Sequence, residues 1–410
     1  MHAIRREIAV LAPDAEAAIL PYDVNFDEGV LAFRPTTIMT FPMTSIGLSP
    51  HYYVFKHLFD CRVVCFRAEG ILDPESTQSL SNHLGYDTYG RRLVDGEIFW
   101  GPGPAKLIGK ELVAKGKLSS RERVLCFGYP RLERYFGITT PEVGMSISSE
   151  ITNQLASYGP KRTILIATGF HFANYTRDMI FAAKDLDAEN RCDELLGLIG
   201  EVKRFRASWI EAVRQTASEN PEFLFVLKKH PIERRPDYSA LEDIPNVLYV
   251  WQDVDIGDLV ERSALFFHYG TTALADAYLA GVPAVYVHSR EARCHEWYTD
   301  LGWPSVRAIH SDEIPAAVAE FRAGQIRHDP QDSRLKAVLD FNFNIRDGEP
   351  YLPSRQIAEY LLQDESAQRI SPFDMHKWRA LSRHYYLKLR RKVGPPVKRA
   401  LRAAKARLLQ

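Results

Sequence analysis

The chain has 410 residues, 46% of them apolar and 25% charged, which fills two domain cores and excludes a disordered polymer. Its 52 Lys and Arg balance 52 Asp and Glu, but not evenly along the chain. No acid follows Asp374, and the twelve cations from Lys377 onward leave residues 1–374 with 40 basic against 52 acidic side chains, so the basic character belongs to a tail.

The N-terminus carries early positive charge, but its short apolar stretch is broken by Pro13, Asp14 and Glu16, which suits neither a signal peptide nor a membrane span. Apolar runs follow at TTIMTF near Thr37, RVVCF from Arg62 and RVLCFG from Arg123, with the helical pattern PAKLIGKELVAKGKL between the last two. Strands alternating with helices predict a parallel sheet. The polar stretch TTPEVGMSISSEITNQLASYGPK then reads as an interdomain linker with a helix inside it, which places a domain boundary near residue 150. Cys61, Cys65, Cys126, Cys192 and Cys294 show no CxxC pair and no zinc-type spacing, so a reduced cytoplasmic chain is expected.

The second half repeats a βα rhythm: strand RTILIATGF, a helix from about Leu195 to Ser218, strands FLFVLKK and NVLYV, helix IGDLVERS, strand ALFFHYG, helix TALADAYLAG and strand VPAVYVHS. This rhythm predicts a doubly wound α/β domain over 151–365, with ligands at the carboxyl ends of its strands. Residues 1–150 form the first α/β domain and 366–410 the basic tail.

Three loops of the second half fall where chemistry is expected. FLFVLKK runs into His230 and Pro231, presenting an imidazole at a strand's carboxyl end with Lys228, Lys229, Arg234 and Arg235 nearby in sequence. That histidine serves a departing phosphate or satisfies a loop carbonyl. ALFFHYG ends at Gly270, and Thr271 and Thr272 open the next helix as phosphate ligands, as caps, or as both. Asp276, one turn on, offers a carboxylate to a sugar or ribose hydroxyl. After the first strand of this half come Thr168, Gly169, His171 and Asn174, where glycine permits close approach of a ligand or simply makes a turn. Near the end, Ser354 and Arg355 open a helix where they reach a donor phosphate or cap it. Asp253 and Asp255 spell a D-x-D, but they precede a helix, where Asp caps, so no metal is assigned. Trp251 stacks on a base or fills a core.

The pair His230–Pro231 with Thr271–Thr272 downstream resembles the HP motif and Ser/Thr pair of bacterial sialyltransferases, Kdo transferases of capsule export and CDP-glycerol glycerophosphotransferases. Glu69 and Gly70 of RVVCFRAEG match the sialyltransferases' acidic motif, with Ala68 as a departure. Over roughly residues 60–360 the chain is similar to surface carbohydrate biosynthesis proteins of Gram-negative bacteria, through this AEG element, Trp100–Gly101, and Gly128–Tyr129–Pro130–Arg131 with Tyr in place of Asn.

The resemblance implies a GT-B fold, two Rossmann-like domains facing a cleft. It implies a metal-independent glycosyltransferase without cofactor, in which Glu69 is the general base and His230 acts on the leaving phosphate. The donor is a nucleotide sugar, with Kdo or another nonulosonic acid on CMP as one expectation; the acceptor is a glycan or lipid-linked glycan of a surface polysaccharide or lipopolysaccharide. A 2-epimerase of nucleotide sugars, a CDP-glycerol-type transferase and a non-catalytic scaffold of polysaccharide assembly stay open. In the tail, Trp378, Leu381, Tyr385 and Leu389 stand at helical spacing among cations, before a break at Pro395 and Pro396. Such a segment suits the anionic inner face of the cytoplasmic membrane, each surface cation contributing on the order of 1 kcal/mol. Peripheral attachment there is expected, and nucleic acid is not an expected partner.

Overall fold

A computed structural model describes residues 1–19, 30, 33–40, 55–56, 60–67, 72, 94–114, 123–138, 147–176, 192–230, 233, 235–250, 254–289, 305–346 and 348–363. The chain forms two compact units: Met1–Gly70, Ser81–Pro130 and Leu352–Gln410 make the first, Ile71–Leu80 and Arg131–Tyr351 the second. Each unit has its own parallel sheet, the Rossmann-like pattern that alternating strands and helices predict.

The first unit's sheet runs β1 (Thr37–Thr40), β2 (Arg62–Phe66), β3 (Gly96–Phe99) and β4 (Val124–Cys126), in that spatial order and all parallel. Every residue of β2 and β3 is buried, as a parallel sheet covered on both faces requires. Helix α1 (His2–Leu11) lies along the helix Pro353–Leu362, and α2 (Pro102–Ala114) packs on β3 and β4. The late helix is tied to the sheet by Arg62, whose guanidinium sits 4.9 Å from the Tyr360 ring and donates to the Gln363 carbonyl at 2.7 Å. Tyr360 in turn occupies the space that a side chain at Gly96 would need. Inside this unit Lys56 is buried as an ion pair with Asp95, which also accepts from the Val63 N–H at 2.7 Å. Burial draws the Lys56 ammonium below its ordinary range, and Asp95 opposes that shift.

The second unit holds β5 (Thr163–Ala167), β6 (Leu224–Lys228), β7 (Val247–Val250), β8 (Leu265–His268), β9 (Ala284–His288) and β10 (Arg307–His310), all parallel. Their spatial order is β10-β9-β8-β5-β6-β7. Counted from β5, this is the dinucleotide-fold order 6-5-4-1-2-3, and the order reverses between β5 and β8.

Strand alternation divides the core. Ile164 and Ile166 of β5, Phe225 and Leu227 of β6, and Phe267 of β8 face one layer with Phe205 and Trp209. Leu165, Leu224, Val226 and Phe266 face the other, with Ile151 and Leu155. The first layer is covered by the long helix Cys192–Glu219, close to the 195–218 span read from periodicity. The second is covered partly by Ser149–Tyr158, the helix inside the polar stretch, capped by the Ser148 hydroxyl and ended by Gly159 at φ 75°. Each fully buried Phe of these layers contributes roughly 1.5–3 kcal/mol.

At the reversal point the turns after β5 and β8 touch. A Cβ on Gly169 would lie 2.5 Å from the Tyr269 carbonyl oxygen, so this glycine is required by backbone packing. Gly169→Ala should therefore lower unfolding stability by about 1–3 kcal/mol in urea titration, since backbone cannot yield as a side-chain tip can; an unchanged midpoint would show that the turns are free to part.

Candidate functional site

The carboxyl ends of β5, β6 and β8 in the second unit bring together most of the residues singled out in that half. Thr168 follows β5 and is buried, with its N–H donating to the Lys228 carbonyl at 3.1 Å. His230 stands two residues beyond the end of β6, half-buried, and its N–H donates to Thr168 Oγ1 and to Glu233 Oε2, each at 3.1 Å. Lys229 Nζ reaches the His230 carbonyl at 3.4 Å. Pro231 and Arg234 lie outside the described residues, as do Trp251 and Asp253.

Glu233 organises this corner, and the sequence reading passed it over. Only 3% exposed, its carboxyl group accepts from the Thr168 hydroxyl, the Phe170 N–H and the His230 N–H. It thus ties the turn after β5 to the turn after β6. Burial pushes its pKa up, and the hydrogen bonds it receives oppose that shift. Its sign in the sequence is an acid three residues after His230, set among Lys228, Lys229, Arg234 and Arg235.

The turn after β8 is built differently from the expectation. Tyr269 is buried and stacks on Phe170 with ring centroids 5.1 Å apart, and Gly270 takes φ 63°, a left-handed conformation that suits glycine. Thr271 and Thr272 are half-buried in the turn itself, and regular helix begins only at Leu274 and ends at Leu279. The Thr271 hydroxyl accepts from the Ala273 N–H at 3.3 Å, a local cap of the turn.

Asp276, read as a ligand for a sugar hydroxyl, is instead fully buried with both oxygens engaged: Arg131 donates to one and the Tyr135 hydroxyl to the other at 3.2 Å. Its place is structural, because no face of the carboxylate is open to a ligand. Burial pushes it up to about 6, and the neighbouring Arg131 only partly offsets this. Beside it Arg134 gathers Asp255, Asp258 and Glu261, and these acids hold its guanidinium even more firmly protonated. Asp255 also caps its helix, accepting from the Gly257 N–H at 2.9 Å.

Asn174 accepts from Arg206 at 3.1 Å, and Arg206 pairs with Asp237 at 2.8 Å. His171 opens the 3-10 turn His171–Asn174. Among the described residues no group of three His, Cys, Asp or Glu side chains is arranged to hold a metal ion.

In the first unit, Glu69, Ala68 and Gly70 lie outside the described residues. The two other elements of the surface-carbohydrate resemblance meet at the carboxyl ends of β3 and β4: Trp100 and Tyr129 stack with centroids 3.9 Å apart. Trp100 Nε1 donates to the Arg67 carbonyl at 2.6 Å, and Arg67 forms a buried ion pair with Glu97. Ser354 and Arg355 belong to this unit, not to the one carrying His230. Ser354 is buried without being the cap of its helix, and exposed Arg355 pairs with Glu359 at 3.1 Å.

No protein-family model matches the chain, and no curated protein does. Among solved structures it is similar to the UDP-GlcNAc 2-epimerase of Neisseria meningitidis bound to UDP-GlcNAc, at 13% identity and TM-score 0.46 over 88% of this chain and 81% of that one. It is similar to S. aureus MnaA with UDP, at 14% identity and TM-score 0.49 over 88% and 92%, and to Arabidopsis thaliana UGT89C1 with quercetin, at 11% identity and TM-score 0.45 over 85% and 83%. At these values the likeness does not extend to an activity.

Replacing Glu233 by Gln puts an amide N–H₂ among three donors. Stability should drop by about 2–3 kcal/mol in urea unfolding, and unchanged stability would mean that the two turns are held by other contacts. A pH effect arises from His268 at the end of β8, fully buried, with Nε2 2.7 Å from Ser305 Oγ and with burial driving it from 6.5 down to about 3. Below pH 6.5 the unfolded chain takes a proton that the folded chain refuses, so stability is lost as pH falls. Going from pH 6.5 to about 5 should cost roughly 2 kcal/mol through this group. His268→Phe should show a fall smaller by about that amount, and identical falls in variant and parent would clear His268 of the effect.

Proposed function

We propose that the protein is a glycosyltransferase that takes a nucleotide sugar in its second unit and passes the sugar to a surface glycan or a lipid-linked glycan. The observation that carries this reading is the convergence of Gly169, Lys229, His230, Gly270, Thr271 and Thr272 on the carboxyl ends of β5, β6 and β8, at the point where the strand order reverses. Open α/β sheets bind ligands at such points.

The chemistry asked of these residues is limited. An acceptor hydroxyl attacks the anomeric carbon, the bond to the donor phosphate breaks, and the hydroxyl proton goes to a base, for which Glu69 is our choice. His230 donates a hydrogen bond to the departing phosphate, and the Thr272 hydroxyl a second. CMP as the donor nucleotide, with Kdo or a related acid as the sugar, rests on the HP resemblance alone. The unbalanced cations after Lys377 support a site of action at the anionic inner face of the membrane.

Calorimetric titration of CMP, CDP, UDP and GDP into the full chain tests this. CMP should bind, and His230→Ala and Thr272→Ala should each weaken it about 10- to 100-fold, or about 1.4–2.7 kcal/mol. Preference for UDP would discard the CMP donor, and conversion of UDP-GlcNAc to its 2-epimer without any acceptor would replace transfer by epimerisation. Absence of binding to all four nucleotides would end the enzyme reading and leave the scaffold.

A further inference from the structure

The first unit contains a cavity of about 400 Å³. One face of α1 supplies Ile4 and Ile8 to its wall; Phe33, Ile38 of β1, Phe66 at the end of β2 and Leu362 complete it. Its size is that of a ligand pocket. The charged residues of the lining, Arg5 and Glu16, are both exposed, so they stand at the rim. The chamber behind them offers hydroxyls of Thr36, Thr37 and Thr40 but no buried charge. A nucleotide or a sugar needs convergent polar groups, whereas an apolar chamber holds hydrocarbon.

The position of the cavity along the chain identifies the source of that hydrocarbon. Leu361 and Leu362 end the helix Pro353–Leu362 and line the cavity. Lys377, the first of the twelve cations that follow Asp374, comes fifteen residues after Leu362. The part of the sequence suited to an anionic membrane surface thus follows the cavity wall within fifteen residues of chain, and a membrane is where a hydrocarbon-linked substrate resides.

We propose that this cavity takes the hydrocarbon chain of a lipid-linked acceptor; the word acceptor rests on the glycosyl-transfer reading, the hydrocarbon ligand does not. The test uses the full chain, the apolar dye N-phenyl-1-naphthylamine as fluorescent probe, and decyl phosphate as competitor. The unaltered protein should bind the dye and release it to decyl phosphate. Ile38→Trp, which fills the chamber, should weaken both by at least about tenfold, or about 1.4 kcal/mol.

Phe33→Asp makes the same test at a wall residue that is 37% exposed, where folding is at little risk. No dye binding by the unaltered protein, or equal binding by both variants, would overturn the proposal. Nucleotide heats measured on the same samples separate the two readings. Dye and decyl phosphate binding without any nucleotide binding would support the cavity and sink the transferase, while the reverse pattern would sink the cavity alone.

Discussion

A carboxyl group with almost no exposure must find donors or lose the cost of its desolvation, and Glu233 finds them on two different turns. That requirement fixes more than Glu233. The Phe170 N–H and Thr168 hydroxyl are held in place behind β5, and the His230 N–H behind β6, so the two turns cannot move independently. Phe170 then presents its ring to Tyr269, and Gly169 meets the Tyr269 carbonyl, which couples the turn after β8 to the same arrangement. One buried acid therefore sets the relative position of three strand ends.

A second buried acid works at the far side of the β8 turn. Asp276 anchors the short helix Leu274–Leu279 through Arg131 and Tyr135, the latter two on the 3-10 turn Pro130–Phe136. The two influences on its carboxyl oppose each other: burial favours the neutral form, Arg131 the charged one. Arg131 is itself 22% exposed, so part of its field is lost to water, and burial prevails. The carboxyl group therefore sits above its ordinary range, and Arg131 and the Tyr135 hydroxyl both hold it at the helix.

The βα order of the second unit was legible because β5, β6 and β8 are buried on both faces and so appear in the sequence as unbroken apolar runs. β10 was not read, since Arg307 and His310 bracket only two apolar residues and one of its faces is partly open. The helix after β8 was drawn two residues too early, because Thr271 and Thr272 look like caps, whereas the positive φ of Gly270 and the Thr271 cap spend those residues on a turn. Asp276 was misread for another reason. Its partner Arg131 lies 145 residues upstream, and no local pattern announces a contact at that separation. Glu233 was within reach, as it sits next to the motif that was recognised, but its role depends on burial that only the assembled sheet creates.

The shortness of that helix bears on how an anion would be held under the proposed function. A six-residue helix sums few peptide dipoles, so its N-terminus attracts a phosphate weakly. Positive charge would then come from the other side of β5, where Lys229 follows β6. β6 and β8 flank β5, which places their ends roughly 10 Å apart, a gap that side chains from both turns can close upon one phosphate. Under the proposed function the β6 turn would provide charge and a proton donor and the β8 turn hydroxyl and backbone N–H groups, while Glu233 ties the turn after β5 to the turn after β6. The Glu233 oxygens are turned inward onto the Phe170 and His230 N–H groups and the Thr168 hydroxyl, so the carboxyl group would not be presented to an anion bound beside it.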